Sequence, residues 1–277
     1  MYLIADIIYF FLYHVGHYRL DVVRKNLASS FPEKSQKELR EIEKQFYRNF
    51  SDYIVESLHL VHISDKKMAE CMQFENVELI DRYLDEGRSI AVYFAHTFNW
   101  EWAPSISLHT KLKPSDKVEF SQVYRPLKSG FADRLMLRLR GRFHSVGYPK
   151  ATTLRCLLKA KKRGALTITG FMSDQHPSHG DPGHLTTLLN HPTLMISGTE
   201  TLARKLDMAA VFWDMEKTSR GHYKITVRPL ADRVSQTAEG EVTEKYTRLL
   251  EKTIQRNPAI WLWSHKRWKR PVTDKNE

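Results

Sequence analysis

Ser89-Ile90-Ala91-Val92-Tyr93-Phe94-Ala95-His96-Thr97-Phe98-Asn99-Trp100-Glu101 is the stretch from which the fold is read. Its first half is a short apolar strand. An imidazole and a carboxylate follow where the strand ends, five positions apart. That order suits an acid–base pair. The imidazole takes a proton from a hydroxyl as the hydroxyl attacks a carbonyl, and the carboxylate on its other nitrogen fixes the tautomer. On a regular helix five residues subtend about 500°, so His96 and Glu101 would point apart. The spacing works only if a strand-to-helix turn folds Glu101 back. Standing alone, a histidine at a strand end and a glutamate in a helix's first turn are usually ordinary polar residues, so the neighbours decide.

Downstream, strands are expected over Val118–Val123, Arg142–Gly147, Ala165–Phe171, Ala209–Met215 and Tyr223–Val227. Helical patterns lie between them over Trp100–His109, Gly130–Leu139, Thr152–Lys162, Gly198–Leu206 and Glu241–Arg256. Upstream, Ser35 stands three residues before Glu38, a capping box for a helix through Leu39, Ile42, Phe46, Phe50 and Ile54. Part of His59–Cys71 and Val77–Glu86 read as further helices, and Asn26–Ser35 as a break. Strands alternating with helices predict one α/β domain. Its central sheet should be mixed, mostly parallel and covered by helices. No low-complexity linker or repeat divides the 277 residues.

The N-terminus, MYLIADIIYFFLYHVGHYRLDVVRKN, lacks the basic start and small-residue cleavage site of a signal peptide. Its apolar part, Tyr2 to Val15, is shorter than the roughly 20 residues a spanning helix needs. A helical, membrane-associated segment is therefore expected over residues 1–25, an interfacial or remnant anchor, with the catalytic domain over 26–277. The net charge of +11 favours anionic partners such as phospholipid headgroups, nucleic acid, acidic proteins or phosphosugars. Cys71 and Cys156 are far apart and form no zinc spacing. The C-terminal run Trp261-Leu262-Trp263-Ser264-His265-Lys266-Arg267-Trp268-Lys269-Arg270-Pro271 mixes indoles with cations. It suits a membrane interface or nucleic-acid stacking, with some of the tryptophans alternatively in the core.

Two more polar segments follow strands, where ligands bind in open α/β sheets. One is Val123-Tyr124-Arg125-Pro126-Leu127-Lys128, succeeded by Arg134, Arg138, Arg140 and Arg142. The other is Ser173-Asp174-Gln175-His176-Pro177. Guanidinium forks suit phosphate. No G-x-S-x-G nucleophile motif is present, which points to direct transfer between substrates.

Taken together these segments resemble the bacterial lipid A biosynthesis acyltransferases of the lauroyl/myristoyl type, relatives of the glycerophospholipid acyltransferases. The landmarks run along nearly the whole chain: Tyr18-Arg19, Asn26-Leu27, Phe31-Pro32-Glu33-Lys34, Phe46-Tyr47 with Asp52 and Glu56, His96 to Glu101, Val123 to Lys128, Asp174-Gln175, and Trp261 to Lys269. The resemblance implies transfer of an acyl chain from acyl carrier protein, with acyl-CoA as the alternative donor, to a hydroxyl of a lipid A precursor. It implies a peripheral place on the cytoplasmic face of the inner membrane and no cofactor or metal. It makes His96 and Glu101 the catalytic dyad and puts Arg125, Lys128, Asp174 and Gln175 at the substrates. Acyl carrier protein, an anionic lipid acceptor and the membrane surface are the implied partners, nucleic acid not among them. An aminolipid or glycolipid acceptor is the alternative within the same chemistry. The chain departs from the family in two places. Its N-terminal apolar segment is short, so a truncated start or a weaker anchor is expected. The third block lacks a proline before Asp174 and carries His176 and His179, with His184 and His191 near. Those histidines raise metal binding, but no ligand spacing supports it.

Overall fold

A computed structural model gives the fold of residues 1–178, 180–181 and 183–269. The N-terminal part is helical. α1 (Tyr2–Phe10) runs into a π-helical turn at Phe11–Val15. α2 (Leu20–Ser30) and α3 (Gln36–His59) follow. The expected break at 26–35 starts later and is shorter, since α2 continues to Ser30; the chain also turns earlier, at His17 and Arg19, both at positive φ. The Ser35–Glu38 capping box forms in both directions, with the Ser35 amide donating to Glu38 at 2.8 Å.

The α/β body comprises α4 (Asp65–Cys71), β1 (Met72–Glu75), α5 (Glu78–Asp85), β2 (Ile90–Phe94), a 3-10 segment at Trp100–Leu108 and β3 (Val118–Tyr124). Next come α6 (Gly130–Arg140), β4 (Val146–Pro149), α7 (Thr153–Lys162) and β5 (Leu166–Met172). The chain continues through a hairpin of β6 (Gly183–Leu188) and β7 (His191–Ile196), then α8 (Gly198–Lys205), β8 (Ala209–Ser219), β9 (His222–Ala231) and α9 (Glu241–Arg256). Seven strands form one sheet in the order β1-β9-β8-β2-β5-β3-β4. Among the described strands of this sheet only the β8–β9 pair is antiparallel. The expected α/β domain with a mixed, mostly parallel sheet is present. β2 sits at its centre, every residue buried, between β5 and β8.

The N-terminal segment corrects an expectation. Among the described residues no helix is long and apolar enough to cross a membrane. α1 has nine residues, about 14 Å of helix against a hydrocarbon layer of about 30 Å. α1 therefore forms no spanning segment, and side-chain bonds tie it to the body. The Tyr2 hydroxyl donates to Glu56 at 3.0 Å, and Arg220 joins Asp6 at 2.5 Å and Asp52 at 2.7 Å.

For two of the tryptophans the core alternative holds. Trp261 and Trp263 are buried, as is Arg267. This part of the run closes the core instead of facing an interface; Arg270 and Pro271 lie outside the described residues.

Candidate active site

Sheet register builds the site. Phe94 of β2 is paired with Met172 of β5 in a parallel ladder. Two residues beyond Phe94 is His96, and two beyond Met172 is Asp174. Adjacent parallel strands thus deliver an imidazole and a carboxylate side by side at their carboxyl ends. His96 Nδ1 lies 2.8 Å from Asp174 Oδ1, and the His96 amide donates to Oδ2 at 3.2 Å. The Trp261 indole donates to the same Oδ2 at 2.8 Å. Asp174 is buried. Burial pushes its carboxyl up, but attraction to His96 and the hydrogen bonds from His96 and Trp261 outweigh this and hold it down at about 2. An ionised Asp174 accepts the Nδ1 proton, which leaves the Nε2 lone pair for a substrate. The Gln175 amide nitrogen lies 3.3 Å from that Nε2 and 3.4 Å from Nδ1. With Nδ1 engaged by the carboxylate, this donor faces the Nε2 lone pair, from which a substrate would displace it.

The expectation that Glu101 holds the far nitrogen of His96 is corrected by this geometry. Asp174 has that place. Glu101 is the second residue of the 3-10 segment, its amide held by Asn99 Oδ1 at 3.2 Å, while Asn99 is tied to the buried Glu56 at 3.2 Å. Its carboxylate takes a bidentate pair from Arg140, Nε at 2.7 Å and Nη2 at 2.6 Å, and the Trp100 indole at 3.1 Å. Burial alone would lower the Arg140 guanidinium, but the bonds to Glu101 raise it. The turn does fold Glu101 toward the cleft, where it meets an arginine.

These residues wall a cleft of about 710 Å³. His96, Glu101, Arg140 and Gln175 line it with Tyr53, Phe94, Trp100, Met136, Phe171 and Leu202. The lining is largely apolar, with polar side chains set among the apolar ones. Such a cleft suits a lipid with one reacting polar end. Arg125 is exposed and lines the mouth; Lys128 is exposed and outside the lining. Lys150 and Asp181, joined at 2.5 Å, line the cleft too. Among the described residues no group of three or more His, Cys, Asp or Glu is placed to hold a metal. His184 pairs with Glu244 at 3.1 Å, and His191 stacks on Trp268. His179 lies outside the described residues.

Sequence reasoning missed the role of Arg140, one of four arginines in its segment. Its signal was weak, since α6 presents Arg134 and Arg138 to solvent and turns Arg140 inward.

His265 feels the charges of Asp174 and His96, and its titration should be visible in stability. Burial pulls it down to about 4; Asp174 opposes this, and His96, Arg267 and Arg19 add to it. Folding thus favours its neutral form. That contribution is complete above its ordinary value of 6.5 and is lost as the pH falls towards about 4. Urea midpoints are expected to decline over that window, and His265→Gln to flatten the decline. An unchanged slope in the variant would assign it to other groups.

The family model for bacterial lipid A biosynthesis acyltransferases matches residues 4–270. The chain is also similar to a lipid A biosynthesis palmitoleoyltransferase of Escherichia coli (strain K12), at 23% identity over 256 residues, covering 92% of this chain and 80% of the relative. A lipid A biosynthesis acyltransferase of Shigella flexneri is similar to the same extent, 23% identical over 256 residues with 92% and 80% covered.

Proposed function

We propose, from the premise that the chain belongs to the bacterial lipid A biosynthesis acyltransferase family and is an acyltransferase, that it moves a fatty acyl chain from acyl carrier protein to a hydroxyl of a lipid A precursor. The observation that carries this reading is the 2.8 Å His96–Asp174 contact at the wall of an apolar cleft. His96 Nε2 takes the acceptor's hydroxyl proton. The oxygen attacks the thioester carbonyl to give a tetrahedral intermediate. Its collapse breaks the carbon–sulfur bond, and the thiolate leaves with the proton from His96. Asp174 keeps the Nδ1 proton in place and stabilises the imidazolium. The Gln175 amide, beside Nε2, marks where the acceptor hydroxyl enters. Arg140, held by Glu101, brings a cation to the wall where the oxyanion develops. The apolar remainder of the cleft takes the acyl chain, each buried CH₂ contributing about 0.8 kcal/mol.

Arg125 stands at the mouth and suits a phosphate of either substrate. Lys128 adds positive potential there, which also attracts an acidic carrier protein. Arg125→Ala is expected to raise KM for one substrate about tenfold with kcat nearly kept. Unchanged KM values for donor and acceptor would remove it from the site. The reaction belongs at the cytoplasmic face of the inner membrane, where a soluble donor meets a lipid acceptor.

The testing experiment crosses acyl carrier protein thioesters of several lengths, and acyl-CoA, with lipid A precursors, aminolipids and glycolipids. Acylation of the lipid A precursor from the carrier-protein thioester supports the reading. Turnover confined to an aminolipid or glycolipid overturns the acceptor, and turnover confined to acyl-CoA overturns the donor.

A further inference from the structure

The C-terminal segment reaches the dyad from behind. A 3-10 turn at Pro258–Ile260 leads into it after α9. It then pairs with the loop that carries His96: Thr97 and Trp261 form an antiparallel bridge, and the Phe98 amide donates to Ile260 at 3.0 Å. It grips Asp174 at two points. Trp261, 3% exposed, donates its indole N–H to Oδ2 at 2.8 Å. Arg267, 1% exposed, donates Nε to the Asp174 carbonyl at 2.8 Å. The rest of that guanidinium reaches Thr193 Oγ1 at 2.7 Å and the Leu194 carbonyl at 2.8 Å, fixing the hairpin behind.

The segment is itself held from the N-terminal helices. Asn26 Nδ2 donates to the carbonyls of Trp263 at 2.8 Å and His265 at 2.9 Å. Asn49 donates to Ala259 at 3.0 Å, and Arg19 to Ser264 at 2.9 Å. Side chains from α2, α3 and the turn before α2 thus satisfy backbone carbonyls of the 3-10 turn and of the irregular stretch after it. Packing alone would not require a donor on Asp174 Oδ2. That oxygen already has the His96 amide at 3.2 Å; the shorter Trp261 bond adds a second tether on the same atom. With Oδ2 held twice, the carboxylate cannot rotate about its own axis, and Oδ1 stays on Nδ1.

We propose that residues 258–267 form a positioning strap in which Trp261 is a positioning residue for acyl transfer, acting through the Asp174 carboxylate on His96. The inference rests on the assignment of His96 and Asp174 as the reacting pair.

The test is a double-mutant cycle on the full chain. Trp261→Phe keeps an aromatic ring and removes the donor. It is expected to lower kcat about tenfold, leaving KM for donor and acceptor within about twofold. In an Asp174→Asn background the same substitution should cost less than about twofold, because no carboxylate is left to hold the Nδ1 proton, however the side chain at position 174 is oriented. Equal losses in both backgrounds would mean Trp261 serves only the core, and an unchanged kcat in folded Trp261→Phe would likewise overturn the proposal. Should that variant fail to fold by circular dichroism, Asn26→Ser slackens the strap from outside the site. It is expected to lower kcat about threefold in the native background alone; no loss, or a loss that persists beside Asp174→Asn, overturns the strap. Failure of the underlying assignment reads differently, as activity retained in His96→Ala.

Discussion

His96→Ala is expected to lower the acyl-transfer rate by about 10²–10⁴ while leaving the fold intact. The size follows from the place of the imidazole. Its ring is partly exposed at the cleft wall, with Nδ1 committed to Asp174. Among the described residues the only other imidazole lining the cleft is that of His176, whose Nδ1 is 2.7 Å from the Pro177 carbonyl. Without His96 the acceptor hydroxyl must lose its proton to water, and the leaving thiolate must find one there. Binding should survive, since the apolar wall and the Glu101–Arg140 pair are untouched. The loss therefore belongs in kcat. The measurement is single-turnover transfer by the purified variant, with its melting curve as the control. Near-native turnover would remove the base from the mechanism. The contrast with Arg125→Ala, expected in KM, separates chemistry from placement.

How far the site was legible in the sequence depends on what each residue needs from distant chain. His96 needs only the end of an apolar strand, and the run Ile90 to Ala95 announces it. Asp174 was also placed, as the polar end of the strand before it. The missing information was register. That β2 and β5 are neighbours, with Phe94 opposite Met172, is a property of strand order, and β2 and β5 are separated in sequence by β3, α6, β4 and α7. Local spacing favoured Glu101 because it is near in sequence. The partner that folding supplies lies 78 positions away. The same limit explains the N-terminus. An apolar, aromatic segment reads as membrane-seeking until Arg220, far along the chain, is seen holding Asp6. It explains the tryptophans too: indoles next to cations look interfacial, yet Arg267 is buried with its donors engaged. Helix boundaries fared better, because caps and glycines act locally. The last helix, Glu241–Arg256, has the predicted ends, and the helix expected over Thr152–Lys162 is α7, Thr153–Lys162.

Asp174→Asn tests the register argument directly, and its cost should be of similar order to that of His96→Ala. The amide is nearly the same size, so the Trp261 bond and the packing have little reason to change. Chemistry is what changes. An amide that keeps its oxygen toward the Trp261 indole and the His96 backbone N–H turns its NH₂ toward Nδ1. That donor selects the tautomer with the proton on Nε2, which cannot accept one from a hydroxyl. The imidazolium that forms during attack also loses its counter-charge. A fall in kcat of about 10²–10⁴ is expected, with KM values little moved and the fold intact. Glu101→Gln should behave differently. It leaves His96 and Asp174 paired and instead deprives Arg140 of its carboxylate, held by two bonds of 2.7 and 2.6 Å. An unpaired, largely buried guanidinium lowers stability, so the melting temperature should fall along with the rate. Nitrogen-15 shifts of the His96 ring, assigned by comparison with His96→Ala, separate the two cases. They should report a lone pair on Nε2 in the native enzyme and in Glu101→Gln, and a proton there in Asp174→Asn. If the Nε2 proton appears in Glu101→Gln instead, Glu101 is the residue that sets the tautomer and the partner read from the strand register is wrong.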